Sequence, residues 1–200
     1  MNWLETTAVV FGIVSVFLSV RQNIWSWPTA IVNVTLYFLV FRDARLYADM
    51  GLQLVYFVLS LYGWYEWLYG GEQKSELRVS RATPRMTASL VVVAALSVAL
   101  LGTLFARWTD AALPYLDSAT ASTSLVAQWM MTRKVLENWA VWMAVDVVYV
   151  GMFIYKSLYL TAGLYAVFFV LAAMGHSQWR RSYLADHASA TSANFADALH

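Results

Sequence analysis

The chain has 200 residues, of which 60% are hydrophobic and 12% charged, with a mean hydropathy of +0.56 and a formal net charge of +1. A soluble domain carries about 25% charged residues, so the chain lacks the polar surface to stand in water and reads as an all-α integral membrane protein. The small net charge argues against a nucleic-acid partner, and the absence of cysteine excludes disulfides, thiolate nucleophiles and zinc–cysteine sites.

Seven charge-poor stretches, near 3–20, 27–41, 46–69, 88–106, 120–132, 138–155 and 159–179, are predicted as helices in a lipid bilayer. Several fall short of the roughly 20 residues of a straight span, so their ends are soft by a few residues. The first lacks a basic leading region and a small-residue cleavage site, and is expected to be a retained helix. Placing the N-terminus outside puts Arg21, Lys74, Arg78, Arg81, Arg85, Arg133, Lys134, Arg180 and Arg181 on the inner face. Only Arg42, Arg45, Arg107 and Lys156 then fall outside. The excess of inner basic residues predicts an N-out, C-in chain.

The first span is apolar with scattered Ser and Thr. After a short R-Q-N turn, Pro28 suits the first turn of the second span, where its missing N–H is not needed. That span carries Asn33 and Tyr37, four apart and so on one face. The third carries Gln53 and Tyr56 together with Ser60 and Trp67. Residues 70–87 form a polar, basic loop. The span from Ala88 to Ala106 is plain Val, Ala and Leu, a linker helix and not a site helix. Trp108 to Thr120 reads as an outer loop, and the fifth span carries Gln128 and Trp129.

The sixth span begins E-N-W-A-V-W-M-A-V-D-V-V-Y, with Glu137 and Asn138 followed by Trp139, Trp142, Asp146 and Tyr149 at i, i+3, i+7 and i+10. Those four share one helical face. A carboxylate at mid-depth costs roughly 2.5–3.5 kcal/mol on insertion scales, and such a residue faces a bundle interior or a wet cavity. Beside Arg133 and Lys134, Glu137 reads as a member of a helix-end ion pair or cap. The tail from Ser182 to His200 is Ala/Ser/Asp-rich without periodicity, and disorder is expected there.

A gapless shift of 112 residues aligns Arg21 with Arg133, Trp27 with Trp139, Tyr37 with Tyr149, Phe41 with Phe153, Gly63 with Gly175 and Trp67 with Trp179. Paired Trp, Tyr and Gly are not cheap coincidences even in a biased composition. The chain therefore divides into a three-helix repeat over 3–69, a loop and linker helix over 70–107, a second three-helix repeat over 120–181 and a tail over 182–200. The single linker span restores the orientation of the second copy, so the repeats run parallel, related by an axis along the membrane normal.

Most Trp residues in membrane proteins belong to interfacial belts, and that reading is assigned to Trp3, Trp25, Trp67, Trp108 and Trp179. The predicted binding residues are Asn33, Tyr37, Gln53, Tyr56, Gln128, Asn138, Trp139, Trp142, Asp146 and Tyr149. Interhelical hydrogen bonding is the competing role for Asn33, Gln53 and Gln128. His176 stands alone in the last span, no metal-ligand spacing exists, and no hydrolytic motif appears. No cofactor and no enzymatic activity are expected.

At W-P-T-A-I-V-N-V-T-L-Y, at Q-L-V-Y-F-V-L-S-L-Y-G-W-Y-E-W and above all at R-K-V-L-E-N-W-A-V-W-M-A-V-D-V-V-Y, the chain resembles the PnuC family of bacterial inner-membrane transporters of vitamin B3 precursors. The resemblance covers roughly residues 3–181. It implies nicotinamide riboside as the partner, uptake by facilitated diffusion with trapping by a cytoplasmic kinase, and a three-plus-one-plus-three fold like that of the SWEET sugar transporters. A homo-oligomer is compatible with the pattern. The alternatives are a permease for thiamine, a sugar or another riboside, and a seven-helix receptor. A retinal protein needs a lysine in its last span, and 159–179 has none.

Overall fold

The computed structural model describes residues 3–43, 47–108, 114–155 and 157–197; of these, the side chains of residues 47–48, 108 and 190–197 are left undescribed. Seven long helices follow one another: α1 (Trp3–Val20), α2 (Ser26–Asp43), α3 (Tyr47–Tyr69), α4 (Pro84–Trp108), α5 (Pro114–Thr132), α6 (Asn138–Tyr155) and α7 (Tyr159–Asp197). Arg45 and Lys156, counted to the outer face, and the side chain of Trp108 lie outside the described residues. All three prolines of the chain sit in first helical turns, at Pro28, Pro84 and Pro114, where their fixed φ helps and their missing N–H costs nothing.

Four of the seven helices, α1, α4, α6 and α7, are long and apolar enough to cross a membrane by composition alone. The other three, α2, α3 and α5, carry most of the polar side chains that line the interior described below, which lowers their mean hydropathy. Two sequence expectations are corrected at the ends of elements. The fifth helix starts at Pro114, so the outer loop expected to reach Thr120 is shorter, and Asp117 and Thr120 are helical. The last helix runs 39 residues, to Asp197, so the tail expected to be disordered from Ser182 is helical over most of its length. Its alanines are the strongest helix formers and no Gly or Pro interrupts them. At 1.5 Å per residue α7 spans about 58 Å, well beyond a hydrocarbon core of about 30 Å.

Helices α1, α2 and α3 pack in succession, as do α5, α6 and α7; α1 meets α7, α3 meets α5, and α4 packs on α5. Local geometry repeats at the 112-residue shift. Gln22 and Lys134 both take positive φ, 53° and 47°, at the position after a helix end usually given to glycine. Asn23 N–H donates to Leu18 O as Val135 N–H donates to Met130 O, and Ser26 N–H to Asn23 O as Asn138 N–H to Val135 O.

The core sits at the end of the bundle that carries these turns. It is built on Trp27, Trp67, Trp139 and Trp179 with Val20, Val79, Met131, Leu136 and Ala172. Trp27 stands edge-on to Trp67 at 5.2 Å between centroids, and Trp139 edge-on to Trp179 at 5.3 Å. A Cβ on Gly63 or Gly175 would collide with the ring of Trp27 or Trp139 respectively. Glycine is thus required on each helix for an indole to lie against its backbone. Trp67 and Trp179, assigned to interfacial belts from sequence, are 2% and 0% exposed. Both are core residues, because each N–H finds a buried carbonyl: Trp67 donates to Met131 O and Trp179 to Ser19 O, both at 3.0 Å. Trp3 and Trp25, at 71% and 65% exposed, do face outward.

The α3–α4 connection is ordered by contacts with the α5–α6 turn. Ser80 N–H donates to Lys134 O, and Ser80 O accepts from Leu136 N–H, at 3.0 and 2.9 Å. Glu137 does form an ion pair, but with Arg81 (2.9 Å) and not with Arg133 or Lys134, and it also accepts from the Ala82 amide (2.8 Å). Burial pushes the Glu137 carboxyl up, yet the Ala82 amide and the Arg81 guanidinium together outweigh it and hold it below its usual value. Arg133 pairs with Glu66 on α3 at 3.0 Å.

Candidate functional site

A cavity of about 420 Å³ lies between the two halves, lined from α1, α2, α3, α5, α6 and α7. None of its lining residues comes from α4, the helix whose sequence was read as a linker. Nine of the ten sequence-predicted residues line it: Asn33, Tyr37, Gln53, Tyr56, Gln128, Trp139, Trp142, Asp146 and Tyr149. The i, i+3, i+7, i+10 stripe of α6 thus faces the cavity along its length.

Asn138 does not line it. Its side chain is fully buried and donates from Nδ2 to Val135 O at 2.6 Å. At the first position of α6 it serves the turn through that nitrogen, while its Oδ1 is buried without a partner among the described residues. Asn33 combines both roles weighed for it, since it lines the cavity while Nδ2 donates to Ala8 O of α1 at 2.7 Å. A Cβ at residue 12 would stand 2.9 Å from that nitrogen, so Gly12 makes room for it.

The two halves meet across the cavity through hydroxyls. Tyr56 from α3 and Tyr149 from α6 both bring their hydroxyls close to Ser124 of α5, and Tyr149 also approaches Thr120. Asp146 is 3% exposed, and no hydrogen bond or ion pair reaches its carboxyl group among the described residues. The indole N–H groups of Trp27 and Trp139 are likewise buried without a partner among them. A buried polar group left so costs about 1–3 kcal/mol, which an acceptor or donor atom of a bound solute offsets.

Sequence reasoning missed several lining residues. Tyr165 and Phe168 of α7 form an aromatic wall: Tyr165 lies 4.5 Å from Tyr149 and 5.3 Å from Phe153 between centroids, with Phe168 edge-on at 6.0 Å. Their i, i+3 spacing in the last span was the available signal. Trp27 was legible as the repeat mate of Trp139. Asp49, at the start of α3, also lines the cavity.

The electrostatic character is one-sided. Two carboxylates, Asp49 and Asp146, line the cavity, and among the described residues no lysine or arginine does. Indole and phenol rings surround them, an arrangement suited to cations and to uncharged solutes with hydroxyl or amide groups. Among the described residues no cluster of His, Asp or Glu could hold a metal ion.

The family profile described as "Nicotinamide mononucleotide transporter" matches residues 2–181. The chain belongs to this family. It is therefore a PnuC-type membrane transporter, and the cavity is that transporter's interior. The nicotinamide riboside transporter PnuC of Escherichia coli (strain K12) is 27% identical over 207 residues, covering 91% of this chain and 87% of that protein. The riboflavin/roseoflavin transporter RibM of Streptomyces davaonensis is 24% identical over 180 residues, covering 88% of this chain and 84% of its own. Among solved structures, the crystal structure of the vitamin B3 transporter PnuC matches with a TM-score of 0.71 at 25% identity, over 90% of this chain and 81% of that one.

Proposed function

We propose that this member of the family takes up nicotinamide riboside by facilitated diffusion across the bacterial inner membrane, N-terminus outside, with net uptake sustained by cytoplasmic phosphorylation. One observation carries the choice of substrate: the cavity is lined by two carboxylates and by indole and phenol rings, and, among the described residues, by no lysine or arginine. A pyridinium cation suits that lining, each indole face contributing about 0.5–2 kcal/mol. A phosphate monoester does not, because desolvating its charge against Asp146 and Asp49 has nothing to offset it. The riboside is thus favoured over the mononucleotide of the family's description. Asn33, Gln53, Gln128 and Asp146 supply the donors and acceptors that the amide and ribose hydroxyls need.

The repeated local geometry supports a three-plus-one-plus-three architecture in which helices α1–α3 and α5–α7 are parallel copies around an axis along the membrane normal. The chain carries out no covalent step in this reading. The test is an equilibrium titration of purified protein with nicotinamide riboside, nicotinamide, the mononucleotide and riboflavin. The riboside is expected to bind at least tenfold more tightly than the mononucleotide. Tighter riboflavin binding would move this chain to the substrate of its Streptomyces relative, and tighter mononucleotide binding would overturn the electrostatic argument.

A further inference from the structure

The tryptophan layer separates two voids. On one side Trp27 and Trp139 line the central cavity; on the other a second, polar hollow of about 360 Å³ lies against Lys134, Leu77 and Val79. Trp67 joins the two, touching Trp27 at 5.2 Å on one side and carrying the Lys134 ammonium 4.6 Å over its ring. With Trp67 and Trp179 5.8 Å apart, the four rings close this end of the bundle edge to face.

We infer that this layer is a gate of the transport pathway and that the chain segment 77–82 is its strap, latched by Lys134. The inference rests on the transport reading above. Its physical grounds are three. First, the bonds that hold the rings are bonds between the halves: Trp67 of α3 donates to α5 at Met131 O, and Trp179 of α7 donates to α1 at Ser19 O. Parting the halves at this end breaks both. Second, the strap spans the same seam. It is held to Trp67 by Leu77 N–H on Trp67 O (3.2 Å) and to the α5–α6 turn by the Ser80 pair and the Arg81–Glu137 contact. Third, Lys134 is 6% exposed and forms no ion pair within 4 Å among the described residues; its ammonium lies over the Trp67 ring, with the carboxylates of Glu76 and Asp186 lining the same hollow. An ammonium held there, with positive φ in its own backbone, is costly to bury. It is stabilised by the closed layer and released to water when the layer opens.

The latch is built on one half alone. At the position equivalent to Lys134 the first repeat has Gln22, which donates instead to Ser182 Oγ of α7 at 2.9 Å. In place of a strap, the continuous α7 helix follows Trp179. Opening is therefore assigned to the Trp67 side, with the α3–α4 segment lifting from the α5–α6 turn. The N-out topology puts this side at the inner face.

The chain has no native cysteine, so introduced thiols report without background. Two measurements decide. A Ser80→Cys/Val135→Cys pair, placed at the strap's pairing with the turn, is expected to oxidise to a disulfide that lowers riboside transport in proteoliposomes at least tenfold. Affinity should stay within about threefold, and reductant should restore transport. Failure of the pair to cross-link, or undiminished transport once it has, overturns the gate. The second measurement does not depend on the substrate. A single Val79→Cys, at the buried position of the strap itself, should react with a membrane-impermeant maleimide at least fivefold faster when Lys134→Met is added; equal rates overturn the latch. If the unaltered protein neither binds nor moves the riboside while this acceleration is seen, the substrate reading falls and the gate stands.

Discussion

Trp67 and Trp179 are matched by the 112-residue shift, and their rings touch, with centroids 5.8 Å apart and planes at 61°. In the three-plus-one-plus-three arrangement proposed above, equivalent residues meet only near the axis that relates the copies, and this pair would mark where it passes. Each indole also donates to a carbonyl at a helix end of the opposite half, Met131 O and Ser19 O. These two carbonyls are equivalent as well. The same bond is therefore made twice, and its loss can be measured twice.

Trp67→Phe and Trp179→Phe each keep a buried ring but remove the N–H. Each is expected to cost about 1–3 kcal/mol, lowering the thermal midpoint in detergent by about 2–4 °C per kcal/mol for a chain of this size. Trp67→Phe should cost more, because its ring also carries Lys134 and phenylalanine is the weaker cation partner. Equal midpoints for both variants and the parent would remove these bonds from the account of stability.

The glycines give a test with its own control. Gly63→Ala and Gly175→Ala would press a methyl group into Trp27 and Trp139, whereas among the described residues nothing lies within 4 Å of a Cβ placed on Gly51 or Gly163. The first pair should destabilise by about 1–3 kcal/mol through overpacking. The second pair should be neutral, or stabilising by up to about 1 kcal/mol, since alanine is the better helix former. Thermal midpoints of the four variants separate the outcomes, and a loss at Gly51 equal to that at Gly63 would refute the packing argument.

How much of this was legible beforehand follows the kind of signal each feature carries. Seven apolar runs and a 112-residue self-similarity are long-range patterns, and they place the helices to within a few residues at most ends. The α6 stripe was legible because a carboxylate in an apolar run stands out. The burial of Trp67 and Trp179 was not, since a tryptophan near a helix end is compatible with either a belt or a core. Only a carbonyl such as Ser19 O, distant in sequence, decides between them. Asn138 misled for a related reason: it adjoins the site stripe but is one step off its face, and serves the turn instead. The strap was hidden altogether, because its partners lie 55 and 56 residues away at Glu137.

That ion pair predicts a pH dependence at the strap. The Glu137 carboxyl lies below its usual 4.5 in the folded chain, so the contact contributes stability above that value. The contribution is lost as pH falls from about 4.5 through the lowered folded value. Glu137→Gln removes the charge and with it this window. Midpoints measured between pH 7 and pH 3.5 should fall more steeply for the parent than for Glu137→Gln; parallel slopes would exclude Glu137 as a source of acid sensitivity.

The site itself is tested on α6. Trp142 and Asp146 are one turn apart and both line the cavity, so the proposed riboside would meet them from one side. If an indole face holds the pyridinium, Trp142→Phe keeps part of the attraction and should weaken binding modestly. Trp142→Ala should lose about 1–3 kcal/mol, roughly 5- to 150-fold in Kd, once packing is included. Asp146→Asn keeps the size and the hydrogen-bonding capacity of the side chain but removes its charge. If Asp146 accepts from ribose hydroxyls, the riboside should bind more weakly while free nicotinamide, which has none, should change little, so discrimination between the two narrows. Calorimetric titration of the three variants with both compounds reads each effect separately. Unchanged riboside affinity in both Trp142→Ala and Asp146→Asn would shift the contacts to the opposite wall, where Asn33 of α2 and Gln53 of α3 supply the polar groups.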